Sequence, residues 1–434
     1  MRFQNSIGVL CALLSLLPAL ARGEQLKTLE NKQIRVGIDL DHGGAISLLG
    51  KPGGENLINS HDMGRYIQPS FYSGPQPFGE AHPGWKGWPW NPIGAGDVYG
   101  NTAKIVDFVA SADQLYVKTI PMQWALKGVP GDCLFETWVR LERNTVHVRV
   151  RLTNSRKDKH LYGAFDQELP ALYTIGKLHR LFTYDGSEPF QDKPLREIKN
   201  VGPPWENWKG TEHWAALLDE KEWGIGVLHE GAFDFTGGFH GSPGKGDAKS
   251  DETGYIAPLR KEILDPDIQY TYEYTLILGT LPEIRSYARL HRPVDTRPDY
   301  RFRRDRQHWI VMNAQDIGYP FTGAMRVKLD QDDPQLLGPE QWWQANDVPQ
   351  ISIRAAYHTK STTARLYYRV LGKQGYSEER SVTFDIIPDD RFHTYVVDLS
   401  RSPGYQGTIT GIRFDPVDKG LPSEYVDLMY ISWR

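Results

Sequence analysis

The dominant pattern along the chain has a period of two. Val146, Val148, Val150 and Leu152 alternate with His147, Arg149 and Arg151, which predicts a strand with one buried and one wet face. A second strand is predicted over 134–141. The two are joined by Glu142-Arg143-Asn144-Thr145, where Asn144 is expected to take the positive φ of a tight turn. Ile34, Val36 and Ile38 alternate in the same way, and the apolar run 45–49 follows Gly43-Gly44, so this region reads as a hairpin. Further short runs lie at 215–218, 224–228, 272–278, 351–357, 364–370, 394–399, 409–414 and 426–433. One helical stretch is predicted, over 281–290, and no short-period repeat is evident. The pattern predicts an all-β protein.

The segment 291–306, HRPVDTRPDYRFRRDR, is broken by proline and dense in arginine, and it reads as a linker. It divides a large β unit at 24–290 from a unit at 307–434 that has the size of a jelly-roll β-sandwich. At the start, Arg2 precedes an apolar run from Ile7 to Leu20, with small residues at Ala19 and Ala21. Residues 1–23 therefore read as a secretory signal peptide, with the mature chain starting near Arg22 or Glu24. A retained anchor is the weaker reading, because the run is shorter than the roughly 20 residues a span requires. No integral membrane segment is expected in the mature chain, and the expected location is secreted or periplasmic. Cys11 leaves with the leader and Cys133 then stands alone, so no intramolecular disulfide is expected.

Composition narrows the functional classes. The 50 Lys and Arg residues against 54 Asp and Glu give a net charge of -4, too even for a nucleic-acid footprint. The 13 Trp, 22 Tyr, 42 Gly and 29 Pro suit short strands and loops, and open the prospect of a sugar-facing surface. No zinc spacing, phosphate-cradling glycine loop or dinucleotide fingerprint is present, so no cofactor is expected. No motif indicates a structural calcium ion, though the composition does not exclude one. The oligomeric state is left open.

Residues 69–101 contain six Pro, seven Gly and three Trp and are not expected to continue a sheet. Within them Trp85, Trp88 and Trp90 offer flat apolar faces for the C–H face of a pyranose, and Asn91 and Asp97 offer polar partners for its hydroxyls. Packing beneath a sheet is an equally weighted reading of the loop. Just upstream, Arg65 presents a bidentate fork and His61 an acid or base, with Gln68 and Tyr72 nearby; a structural pair of Arg65 with Asp62 is the alternative. In Phe165-Asp166-Gln167-Glu168 the two carboxylates are two residues apart and are expected to share a strand face towards a cleft. His229 and Glu230 end an apolar strand, where side chains often reach a cleft, although His229 suits a core histidine equally well.

The segment Gly43-Gly44-Ala45-Ile46-Ser47-Leu48-Leu49, followed by Gly64-Arg65-Tyr66, resembles the opening strands and sugar-contacting Gly-Arg element of aldose epimerases. Leu152-Thr153-Asn154 is similar to the end of the strand before their catalytic histidine. The resemblance implies a galactose-mutarotase-like β-supersandwich over 30–290, with Glu230 at the place of the epimerase carboxylate base. Where the histidine would fall the chain has Phe165-Asp166-Gln167-Glu168, so simple mutarotase chemistry is not expected. The ending, Gly411 to Pro416 and Val426 to Trp433, resembles the sandwich modules appended to secreted polysaccharide enzymes, in which Trp342 or Trp343 would form a sugar platform.

Taken together, these features predict an exported enzyme cleaving a glycan. Glycoside hydrolysis is the first expectation, with Asp166 and Glu168, opposed by Asp97 or Glu230, as acid and nucleophile or base. Arg65, Gln68 and Trp90 would position the sugar. The alternative is a lyase acting on a uronate, with Arg65 neutralising the carboxylate and His61 or Tyr72 removing the proton. The third is a glycan-binding envelope protein without catalysis.

Overall fold

Alternating side chains become two-sided sheets only if another layer covers the apolar face, and here two broad sheets cover each other. The computed structural model describes residues 25–434. The signal peptide expected at 1–23 lies outside the described residues. In the larger unit a ten-stranded sheet and a nine-stranded sheet enclose one core. Ile46, Ile67, Leu172 and Ile256 come from the first sheet, and Val146, Val148, Val150, Leu217, Ile225 and Leu276 from the second. The named strands pair antiparallel throughout, as in Thr145–Asn154 against Cys133–Glu142, with Val148 opposite Val139. In the turn between these two, Arg143 takes the positive φ of 54° instead of Asn144. The Asn144 side chain is used differently: its Nδ2 donates to the carbonyl of Leu278, 2.9 Å away, tying the hairpin to the next strand.

The helix Leu281–Leu290 forms where it is expected. Thr280 and Glu283 make a reciprocal capping box, and Leu281, Ile284 and Ala288 are buried. These side chains pack in a small second core with Trp214, Ala216 and Ile277, on the outer side of the nine-stranded sheet. Gly226 allows the close approach, because a Cβ there would lie 2.4 Å from a methyl of Ile284.

The smaller unit has two six-stranded sheets around a separate core that includes Met325, Val327, Ile353, Leu366, Ile412, Phe414 and Leu428. The whole is the expected all-β arrangement, a large two-sheet unit followed by a smaller sandwich. The arginine-dense segment is not a bare linker, however. Asp299–Arg301 pairs with the final strand Tyr425–Trp433, and Tyr300 and Phe302 are buried in the smaller core. Arg306 is buried as well. Its Nε and Nη2 donate to Asp316 at 2.6 and 2.5 Å, and its Nη1 donates to Asp265 of the larger unit at 2.6 Å. Among the described residues, no helix is long and apolar enough to cross a membrane.

The residue order around the central strands positions the cleft. Ile67–Ser70, Phe165–Ile175 and Thr253–Glu262 are neighbours in the middle of the ten-stranded sheet. In Phe165–Ile175 one extra residue is inserted between Glu168 and Ala171, which oppose Ser70 and Gln68. This bulge shifts the alternation by one, so Glu168, Ala171 and Tyr173 share one face while Leu172 enters the core.

Candidate active site

The outer face of those three strands, roofed by loops, forms an open cleft of about 710 Å³. Its floor carries Gln68, Ser70, Glu168, Tyr173, Thr253 and Tyr255. Its walls are aromatic. Trp85 and Trp88 come from the long loop and meet edge to face at 4.6 Å, Trp124 packs on Trp85 at 5.5 Å, and Trp205 packs on Tyr255 at 5.0 Å. Trp88 is aimed by a hydrogen bond from its Nε1 to Asn91 Oδ1, 3.0 Å away, while Asn91 Nδ2 donates to the carbonyl of Phe71 at 2.8 Å. Replacing Asn91 by alanine is expected to unsatisfy both groups and cost about 1–3 kcal/mol of stability, with a change in tryptophan emission. Urea unfolding of the variant checks this, and an unchanged transition midpoint would argue that Asn91 does not hold the wall.

Glu168 lies at the centre of the floor, where Tyr255 donates to its Oε1 at 2.9 Å. Burial pushes its carboxyl above the ordinary carboxylate range, and the hydroxyls of Tyr255, Ser70 and Tyr72 only partly offset this. The phenols of Tyr72 and Tyr255 are driven well above their usual value, by burial first and by Glu168 second. Gln167 faces the other way and fastens Tyr72. Its Oε1 accepts from the Tyr72 amide at 2.7 Å and its Nε2 donates to the Tyr72 carbonyl at 2.8 Å, in place of a strand neighbour.

Arg65 stands at the rim and is already neutralised. Its Nη2 donates to Asp251 at 2.6 Å and its Nε lies 3.3 Å from Asp62. His240 Nε2 is 3.1 Å from the other oxygen of Asp251, and these hydrogen bonds, from His240 first and Arg65 second, hold that carboxyl below its usual range. The alternative reading of Arg65, a structural pair with Asp62, is therefore present and enlarged by Asp251. Gln68 is a brace: its Nε2 donates to the carbonyls of Met63 and Arg65, and its Oε1 accepts from the Ala95 amide.

Among the residues expected from sequence, the cleft brings together Glu168, Arg65, Gln68, Tyr72, Trp85, Trp88 and Asn91. It does not include the others. Asp166 is exposed on the far side of Gln167 in sequence and does not line the cleft. Asp97 is fully buried and organises its own loop, accepting from the amides of Tyr99, Asn101 and Gly128 and from the Asn101 side chain. Trp90 is 1% exposed and belongs to the core, with the Arg156 guanidinium 5.3 Å above its ring. His61 lies outside, its Nδ1 donating to the carbonyl of Lys249. His229 is a core histidine stacked on Tyr272, and burial, helped by Arg260, pushes its pKa down to about 3. Glu230 is exposed at a different cavity. Tyr173, Tyr255, Trp124, Trp205, Asp62 and Ser70 were not expected as cleft residues. The bulge hides Tyr173 from simple alternation, and Trp124 and Trp205 arrive from loops far apart in sequence.

No group of three or more His, Cys, Asp or Glu side chains among the described residues is arranged to hold a metal ion. No protein-family model matches the sequence, and no curated protein matches it with significance. Solved structures similar to it include the galactose mutarotase related enzyme from Lactobacillus acidophilus, at 14% identity over 58% of this chain and 97% of that chain, with a TM-score of 0.39. A galactose mutarotase-like protein from Lactobacillus casei matches at 12% identity over 58% of this chain and 99% of that one, with a TM-score of 0.37. The GH36 alpha-galactosidase from Geobacillus stearothermophilus matches at 8% identity over 59% of this chain and 40% of that one, with a TM-score of 0.35. The likeness to galactose-mutarotase-like proteins is thus partial and low in identity, and the roles of the side chains rest on their own chemistry.

Proposed function

We propose that this chain is a carbohydrate-active enzyme that hydrolyses a glycosidic bond in the aromatic cleft, with Glu168 as the proton donor. The observation that carries this reading is a partly desolvated carboxyl group, raised above its ordinary range, on the floor of a cleft walled by four indole rings. Indole faces suit the C–H face of a sugar. A carboxyl that holds its proton more tightly than usual suits protonation of a leaving oxygen. Asp62, the other carboxylate lining the cleft, is the proposed opposing group, kept in place by Arg65. This assignment replaces Asp166, Asp97 and Glu230 in that role, because none of them lines the cleft.

The same geometry disfavours uronate elimination. Arg65 is flanked by Asp62 and Asp251 and has no spare charge for a substrate carboxylate. Tyr72 is a weak base candidate, since ionising it would place a second negative charge beside Glu168. A neutral sugar is the better fit. The apolar leader at 1–23 supports export to the periplasm or medium.

The test is to incubate the full chain with plant, algal and bacterial polysaccharides and analyse the products. New reducing ends without near-ultraviolet absorbance are expected. An unsaturated, absorbing product would assign a lyase, and binding without turnover would assign a glycan-binding protein.

A further inference from the structure

A second cavity, of about 760 Å³, lies where the two β units meet. Its aromatic wall is shared. Phe233 of the larger unit and Trp342 of the smaller stack at 5.7 Å with their planes 21° apart, and Trp342 is half-buried. Trp343, its sequence neighbour, also borders the cavity, but it is buried in the smaller core and donates from Nε1 to Tyr405. Glu340 fixes the Trp342 ring by accepting from its Nε1 at 2.9 Å, and Lys209 of the larger unit, 2.6 Å from the second oxygen of Glu340, holds that carboxylate across the junction.

His213 supplies the unused polar group. It is 6% exposed, its Nδ1 accepts from the Gly231 amide at 3.3 Å, and it lines the cavity. Burial and Arg260 lower its pKa to about 4, so near neutral pH the ring is uncharged. With Nδ1 acting as acceptor, the ring proton sits on Nε2, which has no hydrogen-bond partner among the described residues. Unlike Nε2 of His229, this nitrogen is not sealed off, so it is open to whatever occupies the cavity. Arg260 borders the cavity and donates to the Gly231 carbonyl and to His308, neutral acceptors that leave its charge in place, but the acidic side chains of Glu188, Glu230, Asp295, Asp299 and Asp347 in the same lining outnumber it. Glu230, by contrast, is exposed at the cavity with no cationic partner among the described residues. An aromatic wall, an open neutral donor and an open carboxylate acceptor, with acidic side chains outnumbering the one arginine of the lining, match an uncharged polyhydroxylated ring better than an anion.

We infer that the junction cavity is a second glycan-binding site, taking a neutral sugar unit against Trp342 with His213 Nε2 donating to it and Glu230 accepting from its hydroxyls. The inference concerns binding at a separate place from the cleft and holds whether or not the cleft hydrolyses.

The test uses the full chain carrying Glu168→Gln, so that no probe is consumed. Calorimetry is run with neutral oligosaccharides of β-glucan, xylan, mannan, galactan and arabinan, and with acidic oligosaccharides of alginate and pectate. Trp342→Ala and His213→Asn are each expected to weaken binding of at least one neutral oligosaccharide about tenfold. Asparagine keeps an acceptor for the Gly231 amide and tolerates the φ of 64° at this position, and it removes the Nε2 donor together with the ring that packs edge-on against Phe233 at 4.5 Å. Glu230→Gln, at an exposed position, leaves folding untouched and is expected to weaken the same ligand about threefold. The inference is overturned if no glycan binds, if binding is insensitive to either Trp342→Ala or His213→Asn, or if the only ligands sensitive to both are acidic. Failure of the hydrolytic reading would leave the Trp342-dependent binding in place, so the two outcomes are separable.

Discussion

Replacing Glu168 by glutamine is expected to lower glycan turnover by about 10²- to 10⁴-fold, the usual contribution of a positioned proton donor. The amide keeps an oxygen for the Tyr255 hydroxyl, which sits 2.9 Å from Glu168, so the floor should remain intact while the proton is lost. The pH dependence follows from the direction of the shift. The folded-state pKa of Glu168 is raised, so the donor form prevails at low pH and turnover should fall as pH rises through that value. Stability has the same sign. The folded state binds this proton more tightly than the unfolded state, so the contribution is fully present below the unfolded pKa and is lost as pH rises through the folded one. The glutamine variant has no charge to bury and should melt no lower than the parent in alkaline buffer. A variant that lost activity together with several degrees of melting temperature at high pH would point to a structural role for Glu168 instead.

Arg306→Ala is expected to destabilise the protein by about 3–5 kcal/mol, because it leaves the carboxylates of Asp265 and Asp316 buried without their counter-charge. The loss should exceed what packing alone would cause, since Asp265 is wholly buried and Asp316 nearly so. Lysine should restore only part of it, as an ammonium cannot reproduce the two-pronged contact to Asp316 made by Nε and Nη2. Guanidinium unfolding of the three proteins measures this. A loss below about 1 kcal/mol for the alanine variant would show that water replaces the guanidinium at the junction.

The sheets were legible because their signal is local. The run from Val146 to Leu152 alternates in sequence and in space, and the helix at Leu281–Leu290 carries its cap, Thr280 with Glu283, within one turn. The arginine-dense segment misled because charge density was read as solvent exposure. Tyr300 and Phe302 alternate with arginines there, and Arg306 is held by carboxylates 41 residues upstream and 10 residues downstream. The cleft was legible in part. Trp85 and Trp88 announce themselves as aromatics on a loop without strand character, but nothing local separates them from Trp90, which packs in the core with Arg156 lying over its ring. Asp166 and Glu168 look equivalent in sequence, and only the packing of Tyr255 and Tyr72 around one of them tells them apart. Tyr173 was concealed by the inserted residue after Glu168, which breaks the parity on which face assignment depends. Glu230 follows a strand whose end turns towards the second unit, a direction that only the tertiary arrangement fixes.

The amide of Gln167 gives two of the three hydroxyl neighbours of Glu168, Ser70 and Tyr72, unequal histories. Ser70 is placed by a backbone ladder, so it can move only if a whole strand slips. The main-chain amide and carbonyl of Tyr72, by contrast, are both held by one replaceable side chain. Divergent descendants of this chain can therefore retune the environment of the acid through a single codon at position 167, while the serine beside it stays anchored to the architecture.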